Sequence, residues 1–133
     1  MSRKKVVKPR VPRTRNDNTM TEAQFWGWIR SQLRRMSMRW RPIYGILKDN
    51  RRAVTPEDKA KWGNRIRWVF QCSICRKWFP QKQIEVDHII PCGSLRSYSD
   101  VGVFLERLLC ERSGLRLACG ECHSKVTEEQ RGK

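Results

Sequence analysis

The sequence predicts a small α+β domain carrying a basic N-terminal extension. Three observations predict it. Short runs rich in β-branched and aromatic residues alternate with stretches of helical period. Two Cys-x-x-Cys pairs, Cys72/Cys75 and Cys119/Cys122, have 43 residues between them. The basic excess is also lopsided: residues 1–52 hold 15 Lys/Arg and 3 acidic residues, a net of +12, whereas residues 53–133 carry a net of +4.

The chain has 133 residues with a net charge of +16. Its pI is about 10.4 and its mean hydropathy is −0.73. It has no apolar run of the length a membrane span needs. Residues 1–15 are basic but lack an apolar core, so they do not read as a secretory signal, and a cytoplasmic location is expected. A small, strongly basic chain of this kind points to nucleic acid as partner.

Residues 1–20 alternate cations with Val and Pro and are expected to form a disordered basic arm. Thr21 and Gln24 then form a capping box, followed by Phe25, Trp28, Ile29, Leu33 and Met36 at helical spacing. This predicts an amphipathic helix over 21–39, ended by Pro42, with Arg30, Arg34, Arg35 and Arg39 on the opposite side, a face suited to nucleic-acid phosphates. Trp26, Trp28 and Trp40 are expected in the core instead of stacking on bases. Thr55-Pro56-Glu57-Asp58 starts a short helix that Gly63 closes. Strands are predicted over 66–70 and 84–90, a helix over 100–110, a short strand at 115–118 and a final helix over 121–130. The resulting division is an arm (1–20), a helical basic extension (21–64) and a folded domain (65–133).

In each Cys-x-x-Cys unit the two-residue gap lets two thiolates turn toward one tetrahedral ion. Together Cys72, Cys75, Cys119 and Cys122 make a closed set for structural zinc, whose binding energy compensates for a small core. Disulfides or idle thiols are the alternative. Cys119-Gly-Glu-Cys122-His123 also matches the attachment pattern for c-type haem, but the missing export signal and the second cysteine pair favour zinc. Cys92 and Cys110 read as ordinary thiols.

The chain has only two histidines, His88 and His123. His88 follows Asp87 at a strand end, and His123 follows the second cysteine pair. A zinc bridging the two pairs draws these segments together. Asp87 and His123 could then share a hydrated divalent cation, leaving His88 as a general base on water.

The order Cys-x-x-Cys, then Val86-Asp87-His88-Ile89-Ile90-Pro91, then Leu115-x-Leu117-x-Cys119-x-x-Cys122-His123 resembles the HNH nucleases. It is most similar to the small free-standing members found in tailed bacteriophages. The resemblance covers roughly residues 66–130. It implies a ββα-metal core, with His88 as the general base and Asp87 and His123 as ligands of Mg²⁺, Mn²⁺ or another divalent ion. It also implies hydrolysis of double-stranded DNA to 5′-phosphate and 3′-hydroxyl ends, in the host cytoplasm if the gene is a phage's. A catalytically inactive zinc-stabilised DNA-binding or packaging accessory protein is the alternative. One departure bears on that choice: the family's middle asparagine falls at Gly114.

Overall fold

The computed structural model describes residues 9–131. The first eight residues of the expected arm therefore lie outside the described residues. Its remainder is not disordered. Strand β1 (Arg13–Arg15) pairs antiparallel with β2 (Met20–Thr21). The turn between them takes Asn16, Asp17 and Asn18 through left-handed backbone, at φ of 52°, 57° and 60°. Asn and Asp are the non-glycine residues that tolerate this region best. The hairpin is anchored by Arg15, which pairs with Glu22 at 2.9 Å, reaches the Tyr98 hydroxyl at 3.0 Å and lies 4.4 Å over the Phe25 ring. Charge counting alone does not reveal those partners.

Helix α1 (Glu22–Ser37) begins at the predicted capping box: Gln24 N–H donates to Thr21 Oγ1, and Thr21 N–H to Gln24 Oε1. Its buried stripe is rotated from the one expected. Trp26 is 3% exposed, with Phe25, Ile29 and Leu33 beside it, whereas Trp28 and Met36 are each 52% exposed. Both faces of the helix offer apolar residues. The phase is set by Trp26, whose indole N–H donates to Glu22 and whose ring meets Tyr98 edge-on at 5.0 Å. Trp40 is half-buried, and its indole N–H donates to the Cys110 carbonyl at 2.7 Å.

Pro42 does not simply end a helix. It lies in the first turn of α2 (Arg41–Asp49), where the missing N–H costs nothing. Strand β3 (Arg51–Ala53) follows, then α3 (Pro56–Trp62), capped by Thr55 and closed by Gly63 as predicted. Asp58 is held down to about 2, first by the Arg52 guanidinium at 2.8 Å and then by the Thr55 N–H.

Strands β3, β4 (Trp68–Gln71) and β5 (Trp78–Phe79) form one antiparallel sheet in that order. The β3–β4 pairing crosses the expected boundary at 64/65, so the extension and the domain share a sheet. Strands β6 (Ile84–His88) and β7 (Leu115–Cys119) form a second antiparallel pair, with Asp87 opposite Arg116 and His88 opposite Leu115. Helix α4 (Val101–Leu108) lies between them in sequence, and α5 (Gly120–Arg131) follows β7 directly.

Two cores result. One gathers Phe70, Cys72, Ile84, Leu117, Cys119 and Cys122, with Ile46 and Leu47 of α2 packed against it. The other joins Trp26 to Cys92, Leu95, Phe104 and Leu108. Phe104 is fully buried there. Phe104→Ala should therefore cost about 3–5 kcal/mol in urea unfolding. Val103→Ala, at a position 50% exposed on the same helix, should cost well under 1 kcal/mol.

Candidate metal centre and the adjoining Asp-His pair

The two cysteine pairs converge. The sulfurs of Cys72, Cys75, Cys119 and Cys122 all lie within 4.8 Å of one another, and all six cysteines are free thiols. Cys75 and Cys119 stand 3.9 Å apart. Four Zn–S bonds of about 2.3 Å in a tetrahedron put their sulfurs about 3.8 Å apart, so the set suits zinc. The first knuckle is locked onto β7, since the Ser73 N–H and hydroxyl both donate to the Leu117 carbonyl, at 2.8 and 2.7 Å. Arg76 turns the chain in left-handed backbone, at φ 64°, a conformation that costs a non-glycine residue about 1 kcal/mol.

The four thiols are not equivalent. Burial pushes Cys72 up, but the N–H groups of Cys75, Cys119 and Ile74 outweigh it and bring the thiol to about 6. Cys122 is pushed up to about 12, by burial first and then by its crowding sulfur neighbours. Such a cluster holds one thiolate readily and four only around a cation.

The cysteine clamp ties β7 and the start of α5 to the first knuckle, and β6 runs alongside β7. On the face of this pair toward α5, the His123 Nδ1 points at Asp87 Oδ2 from 4.0 Å. That spacing is too long for a hydrogen bond and short enough for two ligand bonds of about 2.1 Å to span. The His123 Nδ1 is buried and has no hydrogen-bond partner. Its other nitrogen, Nε2, lies 3.3 Å from Glu85 Oε2. Glu85 and Asp87 are two residues apart on β6, so they share a face. A carboxylate on the outer nitrogen of a histidine fixes its tautomer and turns the inner lone pair toward an ion. Arg116, cross-strand from Asp87, reaches Asp87 Oδ2 at 3.5 Å.

His88 leaves the strand on the opposite face from Asp87. Its Nε2 lies 2.9 Å from the Leu108 carbonyl oxygen. A carbonyl only accepts, so Nε2 carries the hydrogen and the neutral ring keeps its lone pair on Nδ1. A group reached by both Nδ1 and the Asp87–His123 pair must lie across the end of β6, where Ile89 and Ile90 are exposed.

Gly114 has a steric reason. A Cβ at that position would stand 2.8 Å from Cys110 Sγ and 3.2 Å from its Cβ. The Gly114 carbonyl accepts from Ile89 N–H at 2.9 Å, which ties down the chain just after His88.

Of the four predicted DNA-binding arginines, Arg34, Arg35 and Arg39 are exposed and Arg30 is half-buried. Helix α1 packs on the core that contains Leu108, whose carbonyl holds His88. Burial raises the Cys92 thiol, and Arg107 donates to the Pro91 carbonyl at 3.4 Å in the loop that follows His88. Cys92 is buried and Cys110 half-buried, as ordinary thiols are.

Sequence reasoning missed Glu85, Arg116 and the Leu108 carbonyl. Two-residue spacing from Asp87 could have found Glu85. Arg116 required the strand register, and a backbone carbonyl leaves no mark in sequence. Among the described residues, no helix is long and apolar enough to cross a membrane. Comparison with known protein families, curated proteins and solved structures finds no match.

Two outcomes follow from this geometry. Cys72→Ser should lower bound zinc from one per chain toward none by metal analysis, with loss of cooperative unfolding. Gly114→Ala should cost about 1–3 kcal/mol, part of it recovered when combined with Cys110→Ala in a double-mutant cycle.

Proposed function

We propose that this protein is a metal-dependent DNA endonuclease of the HNH type, with a zinc-pinned ββα core. The observation that carries this reading is the buried, unpartnered His123 Nδ1 facing Asp87 Oδ2 at 4.0 Å. A buried polar atom without a partner costs about 1–3 kcal/mol, and coordination of an ion removes that cost.

Asp87 and His123 would hold a divalent ion by two protein ligands, leaving its other positions for water and a phosphate oxygen. Mg²⁺ or Mn²⁺ suits such an oxygen-rich set. The ion supplies stabilisation of the negative charge that develops on the leaving 3′ oxygen. The chain's own groups do the rest. Nδ1 of His88 takes a proton from water as the water oxygen bonds to phosphorus and the P–O3′ bond breaks. The Leu108 carbonyl holds Nε2–H, keeps the ring in the basic tautomer and favours the imidazolium that results. Glu85 orients His123. Arg34 and its neighbours on α1 neutralise phosphates and so position the duplex without reading its bases.

A second reading, a DNA-binding or packaging accessory protein without cleavage, is favoured by two observations. Gly114 cannot give way to asparagine without displacing Cys110, and Arg116 already lies against Asp87.

Zinc-loaded protein incubated with supercoiled plasmid and Mg²⁺ or Mn²⁺ should give nicked or linear DNA. His88→Ala should abolish cleavage while leaving duplex affinity unchanged; absence of cleavage by the wild type with every divalent ion selects the second reading. Glu85→Gln should raise the metal concentration needed for half-maximal cleavage about 10–100-fold, with little change at saturating metal.

A further inference from the structure

We propose that the groove between residues 62–68 and the turn at 80–83 is a second contact for the DNA backbone, separate from the arginines of α1. It rests on the reading above only in taking duplex DNA as the ligand.

The groove encloses about 1200 Å³ and is lined by Arg65, Arg67, Trp68, Phe70 and Lys82 among others, with no acidic residue in its wall. It continues into a shallower depression that shares Arg65 and Arg67 and adds Lys59. Two more cations border it on aromatic rings. The Arg51 guanidinium lies 4.0 Å over Trp68, and Lys61 Nζ lies 4.8 Å from the Trp62 ring.

The ion pairs of the molecule make the contrast. Arg15, Arg52, Arg112 and Arg116 each have a carboxylate partner. Among the described residues, no carboxylate lies within 4.0 Å of the cationic groups of Arg51, Lys59, Lys61, Arg65, Arg67 or Lys82. Six like charges on one surface repel one another, and a polyanion relieves that repulsion while releasing its own counterions.

The form of the surface points to nucleic acid over an acidic polypeptide. Trp68 is 40% exposed and interleaved with cations, so phosphate contacts lie beside an apolar surface that a backbone sugar can pack against. The stacked Arg51 has its guanidinium plane fixed by the ring, so less side-chain freedom is lost when its N–H edge meets a phosphate.

The place is also suitable. The 80–83 wall leads directly into β6, which begins at Ile84 and ends at His88. That is about 13 Å of strand, or roughly four base pairs of duplex. A duplex lying at His88 is therefore long enough to reach the groove within half a helical turn.

The test uses zinc-loaded full-length protein with no other divalent ion, a short fluorescent duplex, and binding measured from about 50 to 200 mM salt. The variant Arg65→Gln/Arg67→Gln/Lys82→Gln, with unchanged zinc content and thermal unfolding, should lower the slope of log affinity against log salt by about 2–3. Each lost phosphate contact contributes about 0.9. The variant Arg34→Gln/Arg35→Gln on α1 should lower it separately, and the two losses should add. A groove variant with the wild-type slope overturns the proposal, as does one that loses binding to poly-glutamate but not to duplex. Plasmid cleavage in a parallel arm keeps the two questions apart. A lowered slope without any cleavage leaves the groove standing and removes the nuclease; cleavage with an unchanged slope does the reverse.

Discussion

Four sulfurs within 4.8 Å of one another gather the first knuckle, the end of β7 and the first turn of α5 at one point. The core around them is small. Phe70, Ile84 and Leu117 are its buried side chains other than cysteine, and three of the thiols, Cys72, Cys119 and Cys122, are themselves core residues. Burial on that scale leaves little margin after chain entropy is counted. Four like groups packed this closely favour binding a cation. With an ion between them, the first knuckle, the end of β7 and the first turn of α5 become one rigid body. His123 stands one residue after Cys122, so its place follows from the clamp.

From that constraint the neighbouring geometry follows by strand pairing. Strand β6 is held against β7 over its whole length, which brings Asp87 and Glu85 under the first turn of α5. His88, at the end of the same strand, is held from the other side by α4 through the Leu108 carbonyl. Two backbone carbonyls, those of Leu108 and Gly114, thus fix the histidine and the residue after it. A side chain at position 114 has no room beside Cys110, and the Gly114 main chain itself ties down the residue after His88.

Much of this was legible in the residues themselves. The capping box at Thr21 and the Thr-Pro start at Thr55 marked two helix starts, because a cap is a local hydrogen-bond pattern. The cysteine spacing marked the four-sulfur cluster, and its consequence, the approach of Asp87 to His123, followed from connectivity. What escaped was tertiary. The phase of α1 was read from apolar spacing, but Trp26 won the buried side by its hydrogen bond to Glu22 and its contact with Tyr98, which lies 72 residues away in sequence. The hairpin at 13–21 was hidden by its own charge, since only the fold supplies Arg15 with partners. Strand β3 carries two arginines in three residues and has no strand signal until β4 pairs with it.

The proposed chemistry requires that the two imidazoles of the chain and one carboxylate border a single cation site. Paramagnetic Mn²⁺ tests it most directly, titrated into zinc-loaded protein while the ring-proton NMR signals of His88 and His123 are followed. Both rings should broaden at substoichiometric Mn²⁺, His123 first, and Asp87→Ala should remove the effect without releasing zinc. Rings that stay sharp while signals elsewhere broaden would contradict it.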